Sequence, residues 1–151
     1  RKVELIWHYT SLQHGEKIFK EELLRVSETE RKFGLKPALW FSLNSFWEPT
    51  ATKMIMEANG QIRQLTLEEQ YSELGMIRVG ILFTKELTSW AKYKHASKIN
   101  PIQYRNMEEI GIQKGGNPSD WYCSFKDIPS KNWETVEEFD GKEWVNIIKS
   151  R

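Results

Sequence analysis

Hydrophobic positions in this chain fall into short runs, each closed by polar residues, glycine or proline. Val3 to Tyr9 is nearly continuous in apolar residues and predicts a central strand. Ser11 is placed to cap the helix that follows, whose apolar residues Leu12, Ile18, Phe19, Leu23 and Leu24 roughly share one face. Residues 25–36 are charged and irregular and read as a solvated loop. Pro37 introduces a second strand, Ala38 to Leu43. Thr50 to Ala58 reads as a short helix, with Pro49 disfavouring helix just before it. Asn59-Gly60 signals a turn, and Gln61 to Leu65 a strand.

Thr66-Leu67-Glu68-Glu69 has the spacing of a capping box, which predicts a short helix running to Leu74 and stopping at Gly75. Met76 to Phe83 is the clearest strand. Residues 88–96 and 101–112 are predicted helices, the second started by Asn100 and Pro101. A Gly115-Gly116 loop precedes the strand Trp121 to Phe125, and Pro129 breaks the chain. Thr135 to Phe139 and Glu143 to Ile148 flank Asp140-Gly141 as a terminal hairpin, with Glu134, Glu137 and Glu138 along a solvated strand edge. The sum is one α+β domain over residues 1–151.

Composition narrows the function classes. The 22 basic and 21 acidic residues leave a formal charge of +1, without the basic excess of a duplex-coating protein. Aromatic content is 13%, with seven tryptophans, which leaves single-strand stacking and ligand binding open. The lone Cys123 excludes an internal disulfide and argues against zinc, and no metal is expected. With no long apolar run and no signal-like N-terminus, the expectation is a soluble, cytoplasmic protein without a membrane partner.

Two strand ends carry the candidate chemistry. In His8-Tyr9-Thr10, strand alternation sends His8 and Thr10 to one face and Tyr9 to the other. His8 could donate a hydrogen bond to a sugar hydroxyl or phosphate, with Thr10 or Ser11 as a second contact; otherwise it is a core histidine satisfied by a backbone carbonyl. In Trp40 to Glu48, Ser42 and Asn44 could hydrogen-bond a ligand edge and Trp40 or Trp47 could stack on its ring; otherwise the tryptophans fill the core. Asp120, below the Gly-Gly loop, could stabilise a cationic transition state or cap the loop. His14 and His95 read as surface residues.

The strand ending in His8-Tyr9-Thr10-Ser11, with its helix, resembles the opening of ADP-ribosyltransferase-like domains. These include poly(ADP-ribose) polymerases, DNA-targeting toxins and RNA 2′-phosphotransferases. Ala38-Leu39-Trp40-Phe41-Ser42, then Asn44, is similar to the paired strand of those families. Asp120 to Phe125, leading to Ile128-Pro129, looks like their late segment with the catalytic carboxylate. The resemblance implies a mixed, mainly antiparallel sheet with peripheral helices and NAD as substrate. His8 and Ser42 would position the ribose and carboxamide, Trp40 would stack on nicotinamide, and Tyr9, Thr10, Asn44, Trp47 and Glu48 would line the same cleft. Asp120, or Glu48 if the cleft is built differently, would face the oxocarbenium-like transition state. The chain differs from the pattern in having Asp for the late Glu, Trp for the stacking Tyr, and no glycine closing the first helix. The acceptor would be protein, DNA, RNA or water, making the chain an ADP-ribosyltransferase or an NAD glycohydrolase, in a bacterial or phage setting. The alternatives are a non-catalytic nucleotide- or nucleic-acid-binding module on the same fold, and a ribonuclease-type toxin using His8, which lacks an evident second acid-base partner.

Overall fold

The computed structural model describes residues 3–148. Its centre is the predicted first strand, β1 (Leu5–Thr10), antiparallel along its whole length to β6 (Ile77–Leu82). On the far side of β1 lies β3 (Leu39–Ser42), also antiparallel, but the register between them holds a single residue pair, Trp7 with Ser42. The full sheet has seven strands in the order β11-β10-β6-β1-β3-β8-β7, where β7 is Thr88–Ser89, β8 Trp121–Ser124, β10 Thr135–Phe139 and β11 Trp144–Asn146. Every pairing is antiparallel, so the molecule is α+β with an antiparallel sheet.

One face of the sheet is covered by α1 (Leu12–Glu21), whose Ile18 and Phe19 pack on Ile6, Phe41, Ile77 and Val79. Ser11 caps this helix as predicted. No glycine ends it because Glu22 itself takes the left-handed conformation, φ 53°. β2 (Leu23–Leu24) then pairs with β9 (Ile128–Pro129). The opposite face carries two separate aromatic clusters. Over the β1–β6 half, Trp7, Tyr9, Trp47, Met76 and Phe139 pack together. Gly80 lets the Trp7 ring cross its strand, since a Cβ there would lie 2.7 Å from that ring. Over the β3–β8 half, Trp90 and Tyr93 of α4 (Trp90–Ala96) join Ile99, Trp121 and Cys123, with Trp40 and Met107 against them. Met107 belongs to α5 (Pro101–Gln113), which Asn100 caps.

Five expectations need correction. Leu23 and Leu24 lie past the end of α1, in β2, and Thr88–Ser89 pairs as β7 rather than starting the helix, which begins at Trp90. Residues 25–36 are not all loop: α2 (Thr29–Lys32) forms, Leu35 is buried, and Glu30 reaches inward to the Trp40 indole. Thr50 to Ala58 is not a helix. A 3-10 turn at Pro49–Ala51 leads into β4 (Met54–Met56), which pairs with β5 (Ile62–Gln64) across the Asn59-Gly60 turn. Glu137 is not on a solvated edge, because β10 lies between β6 and β11. Its carboxylate accepts from Arg78 Nε at 2.8 Å and Nη2 at 2.6 Å, and the guanidinium sits over the Trp7 ring. The capping box at Thr66 forms as expected over α3 (Leu67–Glu69), whose last turn widens to a π-turn before Gly75.

Candidate functional site

The site starts at the seam between β1 and β3, where the register holds one residue pair. Where the ladder stops, the His8 side chain takes over: its Nδ1 lies 2.8 Å from the Trp40 carbonyl oxygen. A carbonyl only accepts, so Nδ1 carries the proton and Nε2 is left as an acceptor. Burial pushes the His8 pKa below its usual 6.5, opposed by the hydrogen bond to Trp40, so the ring is neutral at neutral pH. The His8 and Trp40 side chains stand on opposite faces of the sheet. His8 meets Phe41 edge-on, whereas Trp40 packs on Trp90 and Tyr93. Both nevertheless border one hollow.

That hollow has a volume of about 440 Å³ and lies where the two aromatic clusters fail to meet. Trp7 and Tyr9 line it from one side, Trp40, Trp90, Trp121 and Met107 from the other, with Ser42, Glu48 and Thr50 between them. Gly111 in α5 permits the close approach to Trp121, since a Cβ there would lie 2.4 Å from the indole. The Trp40 and Trp90 indoles are fixed from behind, donating to Glu30 Oε1 at 2.9 Å and Glu108 Oε2 at 2.8 Å.

Glu48 is the chemically unusual wall residue. It is 6% exposed, held at the start of the 3-10 turn. Its Oε1 accepts from Ser42 Oγ at 2.7 Å, and its Oε2 accepts from Thr50 Oγ1 at 2.8 Å and Thr50 N at 3.1 Å. No ion pair joins it to a basic side chain among the described residues. An inward carboxylate with neutral donors only is costly unless something cationic joins it.

A second hollow of about 590 Å³ adjoins the first, and His8, Tyr9, Thr50, Ala51 and Lys114 border both. Its walls are mixed: Ile18, Leu23, Leu24 and Met54 are apolar, and the charged groups are basic apart from Glu21, namely Lys17, Arg25, Lys53 and Lys114, with His14 and Thr10 beside them. Glu21 offsets part of that charge by pairing with Arg25 at 3.0 Å. His14 is exposed, but Ser11 Oγ lies 2.9 Å from its Nδ1 at the edge of this hollow.

The family models, curated proteins and solved structures compared with this chain give no match. The residues themselves therefore carry the reading. Of those singled out in the sequence, His8, Tyr9, Trp40, Ser42 and Glu48 line the first hollow, and His8, Tyr9 and Thr10 the second. Asn44 and Trp47 line neither. Asn44 Oδ1 accepts from Phe46 N and Trp47 N, tightening the turn, and Trp47 is buried with its indole donating to Thr52 Oγ1 at 2.9 Å. Tyr9 keeps its hydroxyl out of play by donating it to the Asn44 carbonyl, and burial raises its pKa to about 12. Asp120 is not in the wall of either hollow. It ends the 3-10 turn before β8, where burial and the nearby Glu48 charge raise its pKa.

Sequence reasoning missed Trp90, Trp121, Met107, Gly111 and Lys114 as wall residues. The available signal was glycine: Gly111 interrupts an otherwise regular helix, which points to a close approach. Cys123 is buried with its thiol pushed up to about 12, far from the thiolate a nucleophile needs. Among the described residues, no group of three or more His, Cys, Asp or Glu is placed to hold a metal ion.

Proposed function

We propose that this chain binds NAD in the paired hollows, on a fold of the ADP-ribosyltransferase-like type, and cleaves the bond between the ribose and nicotinamide. The observation that carries the reading is the buried Glu48 carboxylate, held by neutral donors alone in an aromatic wall that adjoins a hollow bearing four basic side chains. NAD has the matching asymmetry. Its pyridinium ring is flat and cationic and suits the indole-lined space. Its diphosphate is anionic and suits Lys17, Lys53 and Lys114.

In this reading the bond between the anomeric carbon and the pyridinium nitrogen breaks, and its electron pair stays on the nitrogen as neutral nicotinamide leaves. Positive charge moves onto the ribose, where Glu48 stabilises it. A lone pair of the acceptor then bonds to the anomeric carbon, and the acceptor's proton passes to solvent water. The His8 Nε2 acceptor is available to a ribose hydroxyl. Glu48, rather than Asp120, has the carboxylate role because Glu48 lines the hollow and Asp120 does not. The acceptor is a protein or nucleic acid, and water takes its place when NAD is the only substrate present.

Incubation with NAD tests this directly: free nicotinamide should accumulate, and tryptophan fluorescence should be quenched on binding. Quenching without nicotinamide release would instead identify a non-catalytic binder of the same ligand class. A protein that neither binds nor cleaves NAD would overturn the proposal.

A further inference from the structure

Two carboxylates stand behind the aromatic wall without touching the space it encloses. Glu30 of α2 accepts the indole hydrogen of Trp40, and Glu108 of α5 accepts that of Trp90. Holding a ring requires only an acceptor, which a neutral amide oxygen supplies equally well. A charge costs more than an amide against an apolar wall; both residues are half-buried, and Glu30 Oε2 is itself buried without a hydrogen-bond partner among the described residues. The charge itself therefore needs an account beyond orientation.

An indole face attracts cations through its π-electron density, and donating the ring N–H to an anion increases that density. The same two charges also act through space, weakly screened by the apolar wall. With Glu48 in the lining, three carboxylates surround the aromatic space, while Lys114 borders both it and the adjoining hollow.

We propose that Glu30 and Glu108 are positioning residues that polarise the Trp40 and Trp90 indoles, so that the aromatic hollow selects flat cations over neutral molecules of the same shape. This rests on the NAD reading, in which the bound ring is a pyridinium and the released ring is neutral. It adds a consequence: the wall grips the ring before cleavage and loosens its hold afterwards.

The test uses 1-methylnicotinamide, a cation, and nicotinamide, its neutral counterpart, titrated by calorimetry into wild type, Glu30→Gln, Glu30→Ala and Glu108→Gln. The wild type should prefer the cation. A unit charge roughly 10 Å from a ligand, at an effective dielectric constant of about 20 to 40, changes affinity about four- to fifteenfold. Each glutamine variant should lose that factor for the cation and keep its affinity for nicotinamide. Glu30→Ala should weaken both, because the indole is then released. If either Glu30→Gln or Glu108→Gln fails to fold, the other carries the comparison. Glutamine variants with the wild-type ratio of the two affinities would overturn the proposal, as would a wild type without preference for the cation. NAD cleavage is read separately. Cation preference lost in the glutamine variants without any NAD turnover sinks only the transferase reading. Turnover with an unchanged ratio sinks only this one.

Discussion

Replacing Glu48 by glutamine should separate what this residue does for the fold from what it does for chemistry. The carboxylate accepts three hydrogen bonds, from Ser42 Oγ at 2.7 Å, Thr50 Oγ1 at 2.8 Å and Thr50 N at 3.1 Å. A bond to a charged acceptor contributes about 1.5–3 kcal/mol and one to a neutral acceptor about 0.5–1.5, so weakening three costs about 3 kcal/mol. Against this, removing an unpaired buried charge relieves a desolvation penalty of several kcal/mol. The two effects are similar in size and opposite in sign, so Glu48→Gln should unfold within about 1 kcal/mol of wild type. Glu48→Ala strands the Ser42 and Thr50 donors and should lose about 2–4 kcal/mol. For chemistry the order reverses, because even the isosteric change removes the negative charge. Loss of such a preorganised group lowers turnover about 10²–10³-fold. Urea unfolding followed by tryptophan fluorescence, with nicotinamide release from NAD on the same samples, measures both. Glu48→Gln unfolding as easily as Glu48→Ala, or cleaving NAD at the wild-type rate, would refute the reasoning.

Two further outcomes follow from geometry. Gly111→Ala would place a methyl 2.4 Å from Trp121 Cη2. Despite alanine's better helix propensity, it should destabilise by about 1–3 kcal/mol and lower the melting temperature by several degrees, with narrowing of the hollow seen as weaker ligand quenching. The His8 pKa is lowered in the folded state, so below its unfolded value near 6.5 the unfolded chain binds the extra proton first. Stability should therefore fall as pH drops from about 7 toward 5, and His8→Gln should flatten that part of a pH series of urea midpoints; an unchanged slope would locate the proton elsewhere.

Much of the frame was legible because it rests on local chemistry. The caps at Ser11, Thr66 and Asn100 and the Asp140-Gly141 turn are read from adjacent residues, and each sits where it was expected. The strand at Met54–Met56 was not legible, because Ala and Met favour helix in isolation and only pairing with β5 makes the segment extended. The site divides in the same way. His8, Trp40 and Ser42 were visible as polar and aromatic groups at strand ends. The inward turn of Glu48 depends on the 3-10 geometry after Pro49, and the contributions of Trp90, Met107 and Lys114 depend on two helices folding back more than forty residues later. No local pattern encodes such a return. Glu30 lay within a charged stretch, and only its contact with Trp40 distinguishes it from its solvated neighbours.

The lone Trp7–Ser42 register makes the sheet two panels joined at one stitch rather than a continuous fabric. Continuous β-sheet seals its own interior, since every backbone group is taken and no room is left between strands. Here the register narrows to one pair at the midline, and an imidazole ties the two strands beside it. The hollow at that seam is bordered by His8 and Phe41 from one layer and by Trp7, Tyr9 and Trp40 from the other, so a molecule filling it would rest against both.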